Sequence, residues 1–332
     1  MMHVVTDYFR ELRQASVDGW NRFWFAPTDP ATFGLIRLFG GSMIFYTHLV
    51  WSLDLLGFFG PQGRITDEFA RSFYGDSPFA FSYLFWIDSP ALLWTVHIIG
   101  LIILAMFALG LFTRITSVLT FLITVSYMHR AAGALFGLDQ INGLLALYLM
   151  VGPAGAAYSL DNILARKGWL DFLPPWLRGT TGQRDESVTA NIAIRLIQIH
   201  MCIVYLFAGT GKLFGETWWN GTAMWLSFAN YEYRSMDMTW LASHPYILDF
   251  LTHLTIVWEC SYIVFVWPRL TRPLVIALAV PLHLGIALCM GMITFGLVML
   301  IANLAFVSPA LVRMVVDPLA QKMRLAPATD AT

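Results

Sequence analysis

Residues 91–111, with the sequence ALLWTVHIIGLIILAMFALGL, contain no Asp, Glu, Lys or Arg. A helix that crosses a bilayer needs about 20 consecutive and mostly apolar residues. This stretch meets both requirements, so it predicts a membrane-spanning helix. Seven further stretches are similar, and the eight predicted spans cover residues 31–57, 91–111, 115–135, 139–157, 188–212, 246–267, 273–290 and 293–312. The predicted fold class is therefore all-α, a polytopic transmembrane helix bundle of about eight spans.

The composition of the whole chain supports the same prediction. Hydrophobic residues make up 58% of the 332 residues and charged residues only 12%, whereas soluble domains carry about 25% charged residues. A lipid-facing surface explains this deficit, because charge is expensive inside a bilayer. The net charge of −1 provides no basic surface for phosphate groups, which argues against nucleic acid as a partner. Membrane lipid is the partner that this composition predicts, and no feature identifies a protein partner.

The distribution of basic residues predicts the orientation, because cytoplasmic loops retain Lys and Arg. With the N-terminus inside, the extracytoplasmic side holds four basic residues, Arg64, Arg71, Arg130 and Arg234. The cytoplasmic side holds thirteen, which are Arg10, Arg13, Arg22, Arg114, Arg166, Lys167, Arg178, Arg184, Arg269, Arg272, Arg313, Lys322 and Arg324. We therefore expect both termini in the cytoplasm. Arg37 and Arg195 lie near cytoplasmic span ends, where a long side chain can reach the interface.

The ends of the chain differ in composition from the predicted spans. Residues 1–26 combine arginines with aromatic residues and lack the apolar core of a signal peptide. This mixture favours a helix that lies in the membrane interface, although an ordinary cytoplasmic leader has the same composition. The predicted organisation is an interfacial segment at 1–26, a transmembrane domain at 27–315 and a C-terminal tail at 316–332.

Lys212 is the most informative ionisable residue in the predicted spans. The chain has only three lysines, and the other two, Lys167 and Lys322, fall on the predicted cytoplasmic side. Tyr205, seven residues earlier, lies on the same helix face, and the intervening glycines leave room for a ligand. Burial favours the uncharged amine, which can act as a base or nucleophile. The alternative is a lysine that extends to the outer interface without a chemical role.

Other ionisable residues in the spans are candidates for the same site, because their burial in lipid would be unfavourable. Glu259 and His283 occupy neighbouring predicted spans at similar depth, so we expect both in the protein interior within a shared polar network. Asp139 and His253 are predicted near the outer ends of their spans, where they are expected to approach Lys212. For a histidine in a membrane span, the alternative is a hydrogen-bonded packing residue.

Metal chemistry is not predicted. The three cysteines, Cys202, Cys260 and Cys289, form no C-x-x-C pair, and no H-E-x-x-H motif is present. The dipeptide Gly211-Lys212 is similar to the end of a phosphate-binding loop, but Leu206 and Leu213 replace its first glycine and its Ser or Thr. The sequence therefore predicts a site without a metal ion.

Several motifs together resemble one family. The chain is similar to the membrane domain of vitamin K-dependent gamma-carboxylases and to their bacterial relatives, the horizontally transferred transmembrane (HTTM) domain proteins. The resemblance covers roughly residues 20–312 and rests on four motifs in the family's order and a family histidine. These are residues 27–37 (PTDPATFGLIR), 108–116 (ALGLFTRIT), 158–161 (YSLD), 205–213 (YLFAGTGKL) and His283 in 281–283 (PLH).

The resemblance implies a specific chemistry. In the carboxylases, a lysine amine deprotonates vitamin K hydroquinone, the anion reacts with oxygen to give a strong base, and that base prepares glutamate for addition of carbon dioxide. The positions match residue by residue: Lys212 falls on the catalytic lysine and His283 on a family histidine. The bacterial relatives also imply a location in the bacterial inner membrane. The predicted site therefore comprises Lys212 and His283 as catalytic residues. Tyr205, Asp139, His253 and Glu259, chosen for their positions in the predicted spans, are expected to contact the cofactor.

The sequence thus leads to one main hypothesis and two alternatives. The main hypothesis is a lyase-like membrane enzyme with a pocket open to the extracytoplasmic side, in which Lys212 acts as a base toward a quinol or a similar small lipid-soluble substrate. Oxygen and carbon dioxide would be its co-substrates, and quinol epoxidation or carboxylation the outcome. The first alternative is a non-catalytic protein that binds lipid or quinone and acts with a partner. The second is a transporter with Glu259 and His283 as a proton relay.

Overall fold

The computed structural model describes residues 2–75, 77, 80–172, 174 and 186–322. Within these residues the fold is α-helical, and the β-pairing consists of one antiparallel bridge between Thr28 and Ser187. Residues 323–332 of the predicted tail lie outside the described residues. So do three of the basic residues that support the predicted orientation, which are Arg178, Arg184 and Arg324.

The described chain forms α-helices that are joined by short loops and 3₁₀ turns. The helices are α1 (Met2–Phe25), α2 (Ala31–Trp51), α3 (Leu55–Phe59), α4 (Asp67–Tyr74), α5 (Pro90–Leu109), α6 (Thr113–Arg130), α7 (Gly137–Val151), α8 (Leu160–Arg166), α9 (Val188–Lys212), α10 (Glu216–Trp219), α11 (Ala223–Ala229), α12 (Pro245–Phe265), α13 (Arg272–Cys289), α14 (Ile293–Asn303) and α15 (Pro309–Lys322). Each of the eight predicted spans overlaps at least one of these helices, so the prediction of an all-α helical bundle is confirmed.

The number of helices that could cross a membrane is smaller than predicted. By length and apolar composition five segments of the described chain qualify, which are Ala31–Phe59, α5, α9, α12 and α13. A sixth arises if α14 and α15, bent by 116° at the break between them, count as one broken span. The predicted third span is α6, whose composition is less apolar because it contains four threonines and two serines. The predicted fourth span is α7, which has only 15 residues.

Local sequence explains why two helices end earlier than predicted. Helix α7 stops at Val151, because Gly152 and Pro153 follow it and proline cannot continue the backbone ladder. Helix α14 stops at Asn303, where a 3₁₀ turn and then Pro309 redirect the chain into α15. The hydropathy of both regions continues past these breaks, so apolar character alone overestimates the length of the two helices.

Arg37 in α2 holds three segments of the bundle together. Its side chain is fully buried, and its guanidinium donates hydrogen bonds to the carbonyls of Ala108 at 2.7 Å, Ala157 at 3.3 Å and Tyr158. The interpretation of Arg37 as a residue that reaches the interface is therefore wrong. Gly110 is required beside it, since its φ is +76° and an added Cβ would lie 2.5 Å from the guanidinium.

The apolar core has two main parts that share α2. The larger part lies between α2, α7, α9, α12, α13 and α14 and includes Phe33, Leu149 and Tyr262. The smaller part lies between α2, α5, α6 and the segment after α2, and it includes Ile44 and Leu104. Polar side chains occur inside both parts, and these side chains define the candidate sites.

Candidate functional site

Lys212 and Glu259 form an ion pair between α9 and α12. The Nζ atom of Lys212 lies 2.6 Å from Oε2 of Glu259. The two side chains are only 23% and 13% exposed, so the ion pair is largely buried. A charge-assisted hydrogen bond of this length is among the stronger polar contacts in proteins. Lys212 is therefore an ion-pair partner in the structure, whereas the sequence predicted a free amine.

An indole ring covers the ammonium group of Lys212. Trp218 belongs to the short helix α10, and the Lys212 Nζ lies 5.2 Å from its ring centroid, within the range of a cation–π contact. The next residue, Trp219, donates a hydrogen bond from Nε1 to the carbonyl of Leu213 at 2.7 Å, which ties α10 to the end of α9. The segment after α9 thus shields the pair on one side.

The two glycines before Lys212 have different roles. At Gly209 an added Cβ would lie 2.8 Å from the Cys260 Sγ and 3.0 Å from the Glu259 Cβ, so this glycine permits the close approach of α9 to α12. At Gly211 an added Cβ would meet nothing within 4 Å. The expectation that both glycines clear space for a ligand is wrong for Gly209, because helix packing uses that space.

A second group of polar side chains lies one to two turns from the ion pair, and we refer to Tyr205, Tyr262, His283 and Asn303 as the Tyr205 cluster. The Tyr205 hydroxyl lies 2.7 Å from Nε2 of His283 and 2.8 Å from Nδ2 of Asn303. The Tyr262 hydroxyl donates to Oδ1 of Asn303 at 2.6 Å. All four residues are at most 4% exposed. The cluster therefore joins α9, α12, α13 and α14 through buried hydrogen bonds.

The hydrogen-bond partners determine which nitrogen of His283 carries a proton. Nδ2 of Asn303 donates to the carbonyl of Met299 at 2.8 Å and also to the Tyr205 hydroxyl. The hydroxyl thus accepts from Asn303, and its own proton is directed to Nε2 of His283. In the neutral imidazole one nitrogen accepts and the other donates, so the proton of His283 resides on Nδ1. This buried Nδ1 has no hydrogen-bond partner among the described residues.

Aromatic rings surround the Tyr205 cluster. The ring of Tyr205 lies 4.7 Å from that of Trp258 and 4.2 Å from that of Tyr262, measured between centroids. Trp258 donates from Nε1 to the carbonyl of Val275 at 3.0 Å, which fixes its orientation between α12 and α13. The surroundings of the buried polar groups are therefore apolar and rigid.

A mostly apolar groove of about 540 Å³ lies beside the Tyr205 cluster. Helices α6, α7, α9 and α14 line it, with Leu144, Val204 and Met299 among the apolar residues and Gln140 and His200 as polar ones. The groove also includes Phe295, whose ring lies 6.4 Å from that of His283. Its dimensions suit a small apolar molecule or part of a lipid chain. Lys212 is not among the residues that line this groove.

The six residues predicted for the site fall into four places. Lys212 and Glu259 pair directly, and Tyr205 and His283 form the adjacent cluster on the same face of α9. Asp139 instead lies in the first turn of α7, where its carboxylate accepts the N–H of Phe136 at 3.1 Å. His253 is 42% exposed and lies 3.2 Å from Asp249 on its own helix. The expectation that Asp139 and His253 approach Lys212 is not met by these contacts.

Glu259 and His283 are both in the protein interior, as expected, and each has its own direct hydrogen-bond partner. Glu259 binds Lys212, whereas His283 binds Tyr205. Sequence reasoning also missed Asn303, Tyr262 and Trp258 as members of the site. Asn303 could have been found, because an amide within the otherwise apolar α14 needs hydrogen-bond partners. The tyrosine and the tryptophan gave no such signal, since aromatic residues are common in apolar cores.

No metal centre is evident in the part of the chain that the structure describes. Over these residues, no group of three or more His, Cys, Asp or Glu side chains is placed to hold a metal ion. The polar groups that the structure does bring together are a carboxylate, an ammonium, a phenol and an imidazole. This set can accept, donate and stabilise protons and charges within an apolar environment.

Comparison with known proteins gives one match. Residues 25–310 match the model of the HTTM domain family, which covers most of the chain and all helices from α2 to α14. No curated protein and no solved structure matches the chain. The matched region contains every residue of the ion pair and of the Tyr205 cluster.

Proposed function

The chain belongs to the HTTM domain family of integral membrane proteins, and from this premise we propose that it is a membrane enzyme that removes a proton from a quinol-like, lipid-soluble substrate. The observation that carries the proposal is the Lys212–Glu259 pair, which is largely buried and lies beside an apolar aromatic cluster. Buried charges at membrane depth are expensive, so each is a functional candidate.

In this proposal the two members of the ion pair have complementary roles. A substrate hydroxyl loses its proton to the Glu259 carboxylate, and the electron pair of the broken O–H bond stays on the substrate oxygen. The Lys212 ammonium then stabilises that negative oxygen, an effect that is strong where water is excluded. Lys212 thus acts as the charge partner of the base, which replaces the free-amine role that the sequence suggested.

His283 supplies a further contact to the substrate. Its proposed Nδ1–H donor has no hydrogen-bond partner in the described part of the chain, and Tyr205 fixes this tautomer through Nε2. A carbonyl or anionic oxygen of the substrate is a suitable acceptor for this hydrogen bond. Trp258 and Tyr262 provide flat apolar surfaces on which a ring can pack. The resemblance to the carboxylases adds oxygen and carbon dioxide as expected co-substrates.

Turnover of a quinol by the protein in lipid nanodiscs tests the proposal. Oxygen uptake and quinone or epoxide formation would be followed with an isoprenoid hydroquinone. We expect Glu259→Gln to lower the rate by about 100-fold or more, as removal of a general base does. Lys167→Met is the matched control for Lys212→Met, because the Lys167 ammonium also lies over an indole, 5.4 Å from the centroid of Trp169.

The controls separate the possible outcomes. Full turnover by Glu259→Gln would refute the proposed base. A loss of turnover in Lys167→Met equal to that in Lys212→Met would show a general effect of lysine removal. Binding of the hydroquinone, measured by quenching of tryptophan fluorescence, should persist in Glu259→Gln, since the variant keeps the shape of the side chain.

The non-catalytic alternative has one observation in its favour. The groove of about 540 Å³ could hold a lipid or quinone chain without any reaction. Stoichiometric binding of the hydroquinone without turnover would support this alternative. Gly143→Leu, which fills the groove, should then weaken binding, whereas Glu259→Gln should not. The transporter alternative joined Glu259 to His283 in a relay, whereas in the structure their partners are Lys212 and Tyr205.

A further inference from the structure

A separate polar group lies between α2 and α7, and we refer to Thr47, His48, Asp139 and Asn142 as the His48 cluster. These four residues line a small cavity of about 10 Å³ together with Thr124 and Tyr127. His48, Asp139 and Asn142 are 4%, 6% and 2% exposed. The cavity is thus largely shielded from solvent, and its mostly apolar wall carries a few buried polar side chains.

The hydrogen bond of His48 leaves its second nitrogen as an acceptor. Nδ1 lies 2.8 Å from the carbonyl of Ile44. Because a carbonyl oxygen can only accept, Nδ1 carries the proton and Nε2 of the neutral ring presents a lone pair. Nε2 is buried and has no hydrogen-bond partner among the described residues. Such an atom requires a donor, since an unsatisfied buried acceptor is destabilising.

The same reasoning applies to Asn142. The Thr47 hydroxyl donates its proton to the carbonyl of Met43 at 2.9 Å, so it can only accept from the Asn142 amide, 3.1 Å away. Nδ2 of Asn142 is therefore the donor in that bond, and Oδ1 is the free acceptor. This Oδ1 is also buried without a partner in the described structure. The cavity thus has two unsatisfied acceptors and needs an occupant that donates two hydrogen bonds.

We propose that this cavity binds one water molecule, which donates to Nε2 of His48 and to Oδ1 of Asn142. A buried water needs a cavity of roughly 10–15 Å³ and between two and four polar partners, and the site provides both. A sodium ion suits the site less well, because hard cations prefer oxygen ligands and one of the two free atoms is a nitrogen. Asp139 already accepts a backbone N–H, so its charge is partly compensated without a cation.

The consequence of the proposal is a water-mediated link between α2 and α7. His48 and Asn142 belong to different helices, and both line this cavity. Asn142 also bonds directly to Thr47 of α2. The bridge would hold the outer end of α7 against α2. It is independent of the chemistry proposed for Lys212, so either conclusion can fail without the other.

A cryo-electron microscopy map of the full-length protein in nanodiscs, at a resolution that shows ordered water, tests the proposal directly. We expect density within about 2.7–3.2 Å of both Nε2 of His48 and Oδ1 of Asn142. A map of that resolution without this density would refute the water site. This test needs no variant and is therefore unaffected by folding defects.

A double-mutant cycle supplies an independent test. His48→Phe and Asn142→Leu should each lower the melting temperature, and the double variant should lower it by less than the sum, because the water is lost once. The control cycle pairs Asn142→Leu with His200→Phe, whose ring bonds Tyr148 outside the cavity, and should be additive. Additive shifts in both cycles would contradict the bridge.

A salt comparison separates water from a bound cation. The melting temperature is measured in sodium chloride and in choline chloride at equal ionic strength. If it rises only in sodium chloride, the cavity binds a cation and the water proposal is wrong. Equal melting temperatures in the two salts are expected for water.

Discussion

The Tyr205 cluster and the His48 cluster each contain a buried histidine. In each, one ring nitrogen is hydrogen-bonded and the other has no partner among the residues that the structure describes, but these free nitrogens have opposite character. In His283 the free nitrogen is a donor, because Nε2 accepts the proton of Tyr205. In His48 it is an acceptor, because Nδ1 donates to the carbonyl of Ile44. The identity of a histidine therefore says little about its role until its partners are known.

The difference extends to what each cluster can bind. A free donor beside an ion pair suits an oxygen atom of a substrate, whereas two free acceptors in a cavity of about 10 Å³ suit a single water molecule. The Tyr205 cluster also adjoins the charged pair Lys212–Glu259, while Asp139 of the His48 cluster is bonded to the backbone of its own helix. Charge and an unused donor together mark the first cluster as the candidate for chemistry.

We expect the largest effect from substitutions in the Lys212–Glu259 ion pair. This pair adjoins the Tyr205 cluster and is the clearest difference from the His48 cluster. Lys212→Met leaves the Glu259 carboxylate largely buried without a partner, and we expect the free energy of unfolding to fall by about 3 kcal/mol. The double variant Lys212→Met/Glu259→Gln should recover most of this loss while remaining inactive. Unfolding in mixed detergent micelles, monitored by circular dichroism, measures both. An equal loss in Lys167→Met would contradict the assignment to the pair.

The two buried asparagines allow a direct comparison of the clusters. Asn303→Leu removes the partners of two buried hydroxyls, on Tyr205 and Tyr262, and should cost about 2 kcal/mol in unfolding free energy. Asn142→Leu removes one direct bond, to Thr47, and should cost about 1 kcal/mol. The same detergent titration measures both variants. If Asn142→Leu were the more destabilising, the His48 cluster would be the more strongly bonded of the two.

Much of the fold could be predicted from the sequence, because apolar stretches of sufficient length have few alternatives to membrane helices. The errors arose where helix ends depend on local backbone chemistry, as at Gly152-Pro153 and at Asn303. The burial of Arg37 could not be predicted either. Its partners are backbone carbonyls of distant segments, which every sequence provides and which therefore leave no pattern.

The packing of α9 against α12 brings Lys212 close to Glu259. This packing can be changed without altering any charge. Gly209→Ala would place a methyl group 2.8 Å from the Cys260 Sγ, and we expect a loss of about 1–2 kcal/mol from overpacking. Gly211→Ala meets open space and should be neutral or stabilise by up to about 1 kcal/mol, since alanine favours helix. Thermal unfolding of the two variants provides the comparison. Equal effects would show that Gly209 does not control the helix approach.

The smallest expected effect concerns the proton of His283. Tyr205→Phe removes the hydroxyl that bonds Nε2, so the tautomer is no longer fixed, and unfolding should become easier by only about 1 kcal/mol. The imidazole ¹⁵N shifts of His283, assigned by comparison with His283→Gln, should change from a single Nδ1–H form to a mixture of tautomers. The shifts of His48 should stay as they are in the unmodified protein. An unchanged His283 spectrum would mean that another group holds its proton.

The candidate site could be predicted only in part. Lys212, Glu259, Tyr205 and His283 stand out because ionisable or hydrogen-bonding groups in apolar helices need an explanation. The pairing of Lys212 with Glu259 did not follow, because it depends on how far α12 is shifted along α9. The connecting segment 213–244 contains short helices and turns, and its length does not determine that offset. Asp139 and His253 were assigned by depth alone, which does not distinguish between the faces of a helix.

The burial of the Arg37 guanidinium also affects when α2 can reach its final position during synthesis of the chain. Its acceptor at Tyr158 is synthesised 121 residues later, which at about 5–20 residues per second corresponds to roughly 6–24 s. During that interval the set of acceptors of Arg37 is incomplete, because Ala108 is synthesised 71 residues after it and Tyr158 only 121 residues after it. We expect α2 to remain beside the insertion machinery, or close to the aqueous interface, until α5 and the segment before α8 have emerged. The final position of α2 is then determined by a segment that lies near the middle of the chain.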